Sequence, residues 1–109
     1  MRVYLLNTSI LTSYGNYSYI AVQENRVAAE LLHYGFTSAI GHTSTAEVLN
    51  TILNPYGVDV KTNRISISLK AGDKAFIFKL NDRPPEGRIL TAKELEEIGY
   101  SFGLITKIA

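Results

Sequence analysis

With two histidines, no cysteine and scattered carboxylates, this chain has few ways to do chemistry. Its densest stretch is Ser38-Ala39-Ile40-Gly41-His42-Thr43-Ser44-Thr45. An apolar run ends in Gly41, a histidine follows, and three hydroxyl residues open a predicted helix. Ser44 and Glu47 match the S/T-x-x-E spacing of a capping box, which makes Ser44 the expected N-cap. Gly41 is expected to supply a turn that other residues resist. His42 can take or give a proton near neutral pH. It would stand beside unpaired helix-start N–H groups, where a phosphate can rest. The same pattern also describes a plain capped turn that binds nothing.

What is missing narrows the chemistry further. The chain has no HxH or HxxxH spacing and no carboxylate cluster, so neither a zinc site nor a two-metal nuclease is expected, and no cofactor. G-x-S-x-G, Walker A and GxGxxG patterns are also absent. There remain His42, Arg83 and Glu86, the last two held three residues apart by Pro84 and Pro85, together with the helix-start hydroxyls. An ordinary exposed ion pair fits Arg83 and Glu86 equally. As a set these residues suit cleavage of an RNA phosphodiester. The ribose 2′-hydroxyl is its own nucleophile, so the protein must only align it, neutralise charge and protonate the departing 5′-oxygen. A dimer would give two such sets and a shared groove. Asn7-Thr8-Ser9 follows the first predicted strand, a place where ligands gather in α/β proteins and where simple turns also occur.

The elements that must position these groups fit one domain of 109 residues. Hydrophobic residues make up 46% and charged residues 19%, enough for a core, and a net charge of +1 gives no bulk attraction to nucleic acid or membrane. No apolar run approaches the ~20 residues of a membrane-spanning helix, and the N-terminus does not read as a signal peptide. The absence of cysteine is consistent with a reducing compartment. Strands are predicted over residues 2–6, 17–22, 64–70, 74–80 and 101–108, with a short extended segment over 36–40. The alternation of 64–70 makes it a half-buried strand, joined through 71–73 to the next in an antiparallel hairpin. Helices are predicted over 24–34, with Val27, Ala28, Leu31 and Leu32 inward and His33 structural near its end, over 45–53, and from the Thr91–Glu94 capping box to Ile98. The expected fold class is α/β (α+β): a single domain with a mixed, roughly five-stranded sheet flanked by about three helices.

The segments Ser38-Ala39-Ile40-Gly41-His42-x-Ser44-Thr45, Asn63-Arg64 and Arg83-x-x-Glu86-Gly87 resemble the viral type III anti-CRISPR ring nuclease family, small proteins of viruses of hyperthermophilic crenarchaea. The resemblance runs from Tyr4-Leu5-Leu6-Asn7 nearly to the chain end. It implies a homodimer that binds cyclic tetraadenylate at its interface. It further implies cleavage, without metal, to linear di-adenylate with a 2′,3′-cyclic phosphate, which silences type III CRISPR signalling in the host cytoplasm. Carried over, His42 is the general acid, Arg83 the arginine near the scissile phosphate and Glu86 its acidic partner. Asn7, Gly41, Ser44, Thr45 and Arg64 fall on ligand-binding positions. Two departures stand out. Relatives have Asn-Ala-Phe-Ser where this chain has Asn7-Thr8-Ser9-Ile10, leaving Ser9 as the candidate serine, and some have Gln where this chain has Asp82. Two other classes remain open. One is a non-catalytic dimer gripping DNA or RNA through Arg64, Lys70, Lys74 and Arg88; the other is a structural or host-protein-binding module.

Overall fold

A computed structural model describes residues 1–8, 13–82 and 91–109. Five strands form one mixed sheet in the order β2-β5-β4-β1-β3. In chain order they are β1 (Val3–Leu6), β2 (Tyr17–Val22), β3 (Thr37–Ser38), β4 (Lys74–Leu80) and β5 (Tyr100–Lys107). The α-helices are α1 (Glu24–Tyr34), α2 (Thr43–Leu53) and α3 (Ala92–Ile98), and a short 3-10 turn, Asn54–Tyr56, follows α2. β1 pairs in parallel with both β3 and β4, while β5 runs antiparallel between β4 and β2.

Period-2 alternation along the strands divides the sheet into two faces. One face presents Val3, Leu5, Phe76, Phe78, Phe102 and Leu104, and the three helices cover it with Val27, Ala28, Leu31, Leu49, Leu53 and Leu95. Leu5, Leu49, Leu53 and Phe76 are fully sealed there. Each such side chain stabilises the fold by roughly 1.5–3 kcal/mol relative to exposure. The opposite face presents Tyr4, Leu6, Ala75, Ile77 and Ile105, with Leu69 and Ile67 packed on it.

Local signals explain the helix ends. Gly35, at φ 71°, ends α1 and donates its N–H to Leu31. The Thr91 side chain accepts from the Glu94 N–H while the Glu94 carboxylate receives the Thr91 N–H, so the predicted capping box of α3 is present. Glu24 accepts hydrogen bonds from the hydroxyls of Tyr56 and Tyr100, fastening the start of α1 to the 3-10 turn and to β5. Burial and then the Glu24 bond push the Tyr100 phenol well above its usual range. Leu32, expected inward, is 56% exposed; the buried stripe of α1 is Val27, Ala28 and Leu31.

The largest departure from expectation lies between α2 and β4. Residues 64–70 form no strand and no hairpin with β4, because β4 already has β1 on one side and β5 on the other. The chain from Val58 to Lys70 is instead an irregular strap. Val58 and Val60 join the helix-side core, whereas Ile67 and Leu69 join the cluster on the opposite face. The strap thus passes around the β3 edge of the sheet. Asp73 pins its far end: the carboxylate is 5% exposed and accepts the N–H groups of Arg2 and Lys70, each at 2.9 Å. Burial alone would raise the Asp73 pKa, but these two donors and the nearby N-terminal ammonium hold it below the ordinary carboxylate range.

Candidate functional site

The three parallel strands deliver their carboxyl ends to the same end of the sheet. Ala39 donates its N–H to Leu5, and β4 runs three residues past the last β1 pair, Leu6 with Ile77. Asn7 follows β1, Gly41 and His42 follow β3, and Asn81 and Asp82 follow β4, so all arrive at the end where ligands collect in sheets of this kind. Asn7 is exposed there. Ser9, Arg83 and Glu86 lie outside the described residues.

His42, not Ser44, is the N-cap of α2, with φ −119° and ψ 131°. Its carbonyl accepts from Ala46, so the helix begins two residues earlier than a Ser44 cap requires. No side chain caps this end, and the Ser44–Glu47 box is absent. The reason lies just upstream. Residues 38–41 are fixed in extended form by hydrogen bonds to the strap, and the chain turns helical as soon as it leaves them. Ser44 and Thr45 therefore sit within the first turn, Ser44 exposed and Thr45 half-buried. Gly41 also departs from expectation. Its φ is not positive, and a Cβ there would meet only Arg64 Cγ, at 3.7 Å.

An open depression of about 480 Å³ is lined by Gly41, His42, Arg64, Ile65 and Ser66. His42 and Arg64 are exposed on it, and Ile65, 44% exposed, adds an apolar wall. Arg64 Nε donates to the Gly41 carbonyl at 2.8 Å. That bond engages the inner nitrogen and leaves the two Nη amino groups for an anion. A proton carrier and a cation thus share one opening at a helix start. Of the charges of the nucleic-acid-gripping alternative, Arg64 stands here and Lys74 does not. Lys74 stands at the start of β4, at the opposite end of the sheet, 3.5 Å from Glu30 and over the Tyr34 ring, and Arg88 lies outside the described residues. Among the described residues no group of three or more His, Cys, Asp or Glu could hold a metal ion, and no helix is long and apolar enough to cross a membrane.

Ile65 and Ser66 were assigned to a strand, so their place on the site was not foreseen. The clamps on the strap were missed too: Asn50 pairs with Val60 through Nδ2 to the carbonyl and Oδ1 from the N–H, both at 2.7 Å. Asparagine is a poor helix-interior residue, and that conflict is the signal that Asn50 has another task.

A family model described as STIV B116-like matches residues 3–102. The chain belongs to the STIV B116-like family. Within sequence relatives, it is 34% identical over 110 residues to the protein YddF of Bacillus subtilis (strain 168), covering 99% of each chain. It is 36% identical over 107 residues to protein 26 of Sulfolobus islandicus filamentous virus (isolate Iceland/Hveragerdi), covering 94% of this chain and 88% of the other. Protein B116 of Sulfolobus turreted icosahedral virus has the same fold, with a TM-score of 0.82 at 24% identity over 97% of this chain and 99% of that one. The chain thus has relatives in viruses and in a bacterium.

Proposed function

We propose that this STIV B116-like protein is a ring nuclease that cuts cyclic tetraadenylate into linear di-adenylate and so silences a type III CRISPR response. The single observation that supports the reading is the pairing of His42 and Arg64 on one opening at the carboxyl ends of β1, β3 and β4, with Arg64 aimed by the Gly41 carbonyl. The Ala-Ile-Gly-His-x-Ser-Thr resemblance supplies the identity of the ligand.

The chemistry is a transesterification. The 2′-oxygen of one ribose bonds to the adjacent phosphorus and gives up its proton to water, and the bond from phosphorus to the 5′-oxygen breaks. His42, as imidazolium, gives its proton to that 5′-oxygen. Arg64 holds the ligand's phosphates, and Arg83 and Glu86 complete the site by resemblance. Two such cuts convert a ring of four into two dimers. A two-fold homodimer would present two His42 groups to opposite phosphates, which suits a substrate of matching symmetry.

The test is incubation with cyclic tetraadenylate in excess chelator, with products separated by chromatography and weighed by mass spectrometry. Di-adenylate bearing a cyclic phosphate is expected, with a loss on the order of 10²–10⁴-fold in His42→Ala, the range of general acid catalysis. Tight binding without cleavage would make the protein a messenger sponge, and absence of binding would overturn the reading.

A further inference from the structure

Asn63 belongs to a sequence motif yet has no part in the chemistry above. Its surroundings give it one. Asn63 Nδ2 donates to the Ser38 carbonyl at 2.7 Å, and its own N–H donates to the Ile40 carbonyl at 2.8 Å. The next residue, Arg64, takes the Gly41 carbonyl. Three carbonyls along the approach to His42 are therefore held by two consecutive strap residues. Ser38 returns the clamp: its Oγ donates to the Lys61 carbonyl at 2.7 Å and accepts the Ile40 N–H at 3.4 Å. No strand ladder joins these segments, so these few bonds, one from the backbone and the rest from side chains, must fix their register.

We infer that Asn63 is a positioning residue, whose amide and N–H lock the strap to residues 38–40 and thereby set where Arg64 stands relative to His42. Aspartate has the same shape but, ionised, no donor for Ser38, and it would set a negative oxygen against that carbonyl. Slippage of the strap would leave both functional groups in the protein while spoiling the distance between them. Where a misplacement near 1 Å can cost on the order of 10²-fold in rate, chemistry should suffer more than binding. That consequence rests on the ring nuclease reading; the positional claim does not.

The experiment uses ¹⁵N-labelled full-length protein, with Asn63→Asp and Asn63→Ala compared against Asn50→Ala, which loosens the strap at Val60 instead. In the parent protein the Arg64 Nε–H should be protected from exchange and the His42 ring should give one sharp set of signals. Both Asn63 variants should lose the Arg64 protection and shift the His42 signals, whereas Asn50→Ala should keep both. With cyclic tetraadenylate, the Asn63 variants should lose tenfold or more in single-turnover rate while affinity changes less than about threefold. Unchanged Arg64 and His42 signals in both variants would overturn the inference whatever the ligand is. Shifted signals in a protein whose parent cuts no ring would leave the positional claim standing and remove the ring nuclease reading. If Asn63→Asp fails to fold, Asn63→Ala, which adds no charge, decides by the same two signals.

Discussion

On the helix-bearing face of the sheet, Leu5, Leu49, Leu53 and Phe76 are sealed from water and the strands are joined by continuous ladders. On the strap between Val58 and Lys70 the backbone has no ladder, and Asn50, Ser38, Asn63 and Asp73 supply hydrogen bonds from side chains. The first arrangement depends on area and is indifferent to small changes of polarity outside it. The second depends on a few directed bonds, each worth on the order of 1 kcal/mol net but costly when one partner is left buried and unpaired. The candidate site is built where the two meet: His42 leaves the ladder side after β3, and Arg64 comes from the strap. A protein that must hold a ligand gains adjustable loops on a rigid base.

The comparison is broken most severely in the core. Phe76→Ala should cost about 3–5 kcal/mol, a large share of the ~5–15 kcal/mol that holds a domain together. It should lower the denaturation midpoint with a single transition for ladder and strap alike. A loss below about 1 kcal/mol in urea unfolding would show that the helix-covered face is not the dominant store of stability.

Asp73→Ala should cost less, about 1–3 kcal/mol, because it strands the N–H groups of Arg2 and Lys70. The pH dependence sharpens the point. The Asp73 carboxyl lies below its ordinary range in the folded state. Its contribution is therefore complete above the unfolded carboxylate pKa of ~3.9 and is lost as pH falls through the folded value. Asp73→Asn should flatten the acid limb of a stability-against-pH curve and leave the neutral region comparatively level.

Asn50→Ala should cost about 1–2 kcal/mol, and its effect should stay local. Amide exchange at Val60 should quicken by tenfold or more, while Phe76 and Leu104 in the ladders stay protected. Equal acceleration in both regions would mean that strap and ladder open together, and the contrast drawn above would fail.

The same contrast decides what the residue pattern could reveal. Apolar periodicity and end signals report burial and helix termini, so α1, α3 with its Thr91–Glu94 box, and the strands β1, β2, β4 and β5 were legible within about a residue. The mixed sheet followed from them. The strap was not, because Ile65, Ile67 and Leu69 alternate as a strand does while the neighbours that decide the matter, β1 and β5 on either side of β4, are distant in sequence. Ser44 matched a capping box that the fold did not use, since the bonds from Asn63 and Arg64 hold residues 38–41 extended and the helix starts at Thr43. For the site, His42 and Arg64 were legible as residue types, and the structure brings them to one opening. That the Gly41 carbonyl aims Arg64 was not legible, because a backbone acceptor leaves no mark on residue identity.

The smallest expected effect tests the limit of that legibility. Leu31 and Leu32 are adjacent leucines in α1 and both fit its apolar stripe, yet Leu31 is 1% exposed and Leu32 is 56% exposed. Leu31→Ala should cost about 2–5 kcal/mol, as a buried truncation does. Leu32→Gln should fall within about 0.5 kcal/mol of the parent, because a solvated helix position registers little beyond propensity. Thermal unfolding of the two variants side by side measures the difference. A cost for Leu32→Gln comparable to that of Leu31→Ala would mean that something covers this side of α1 in solution, and a matching rise in cost with protein concentration would place a second copy of the chain there.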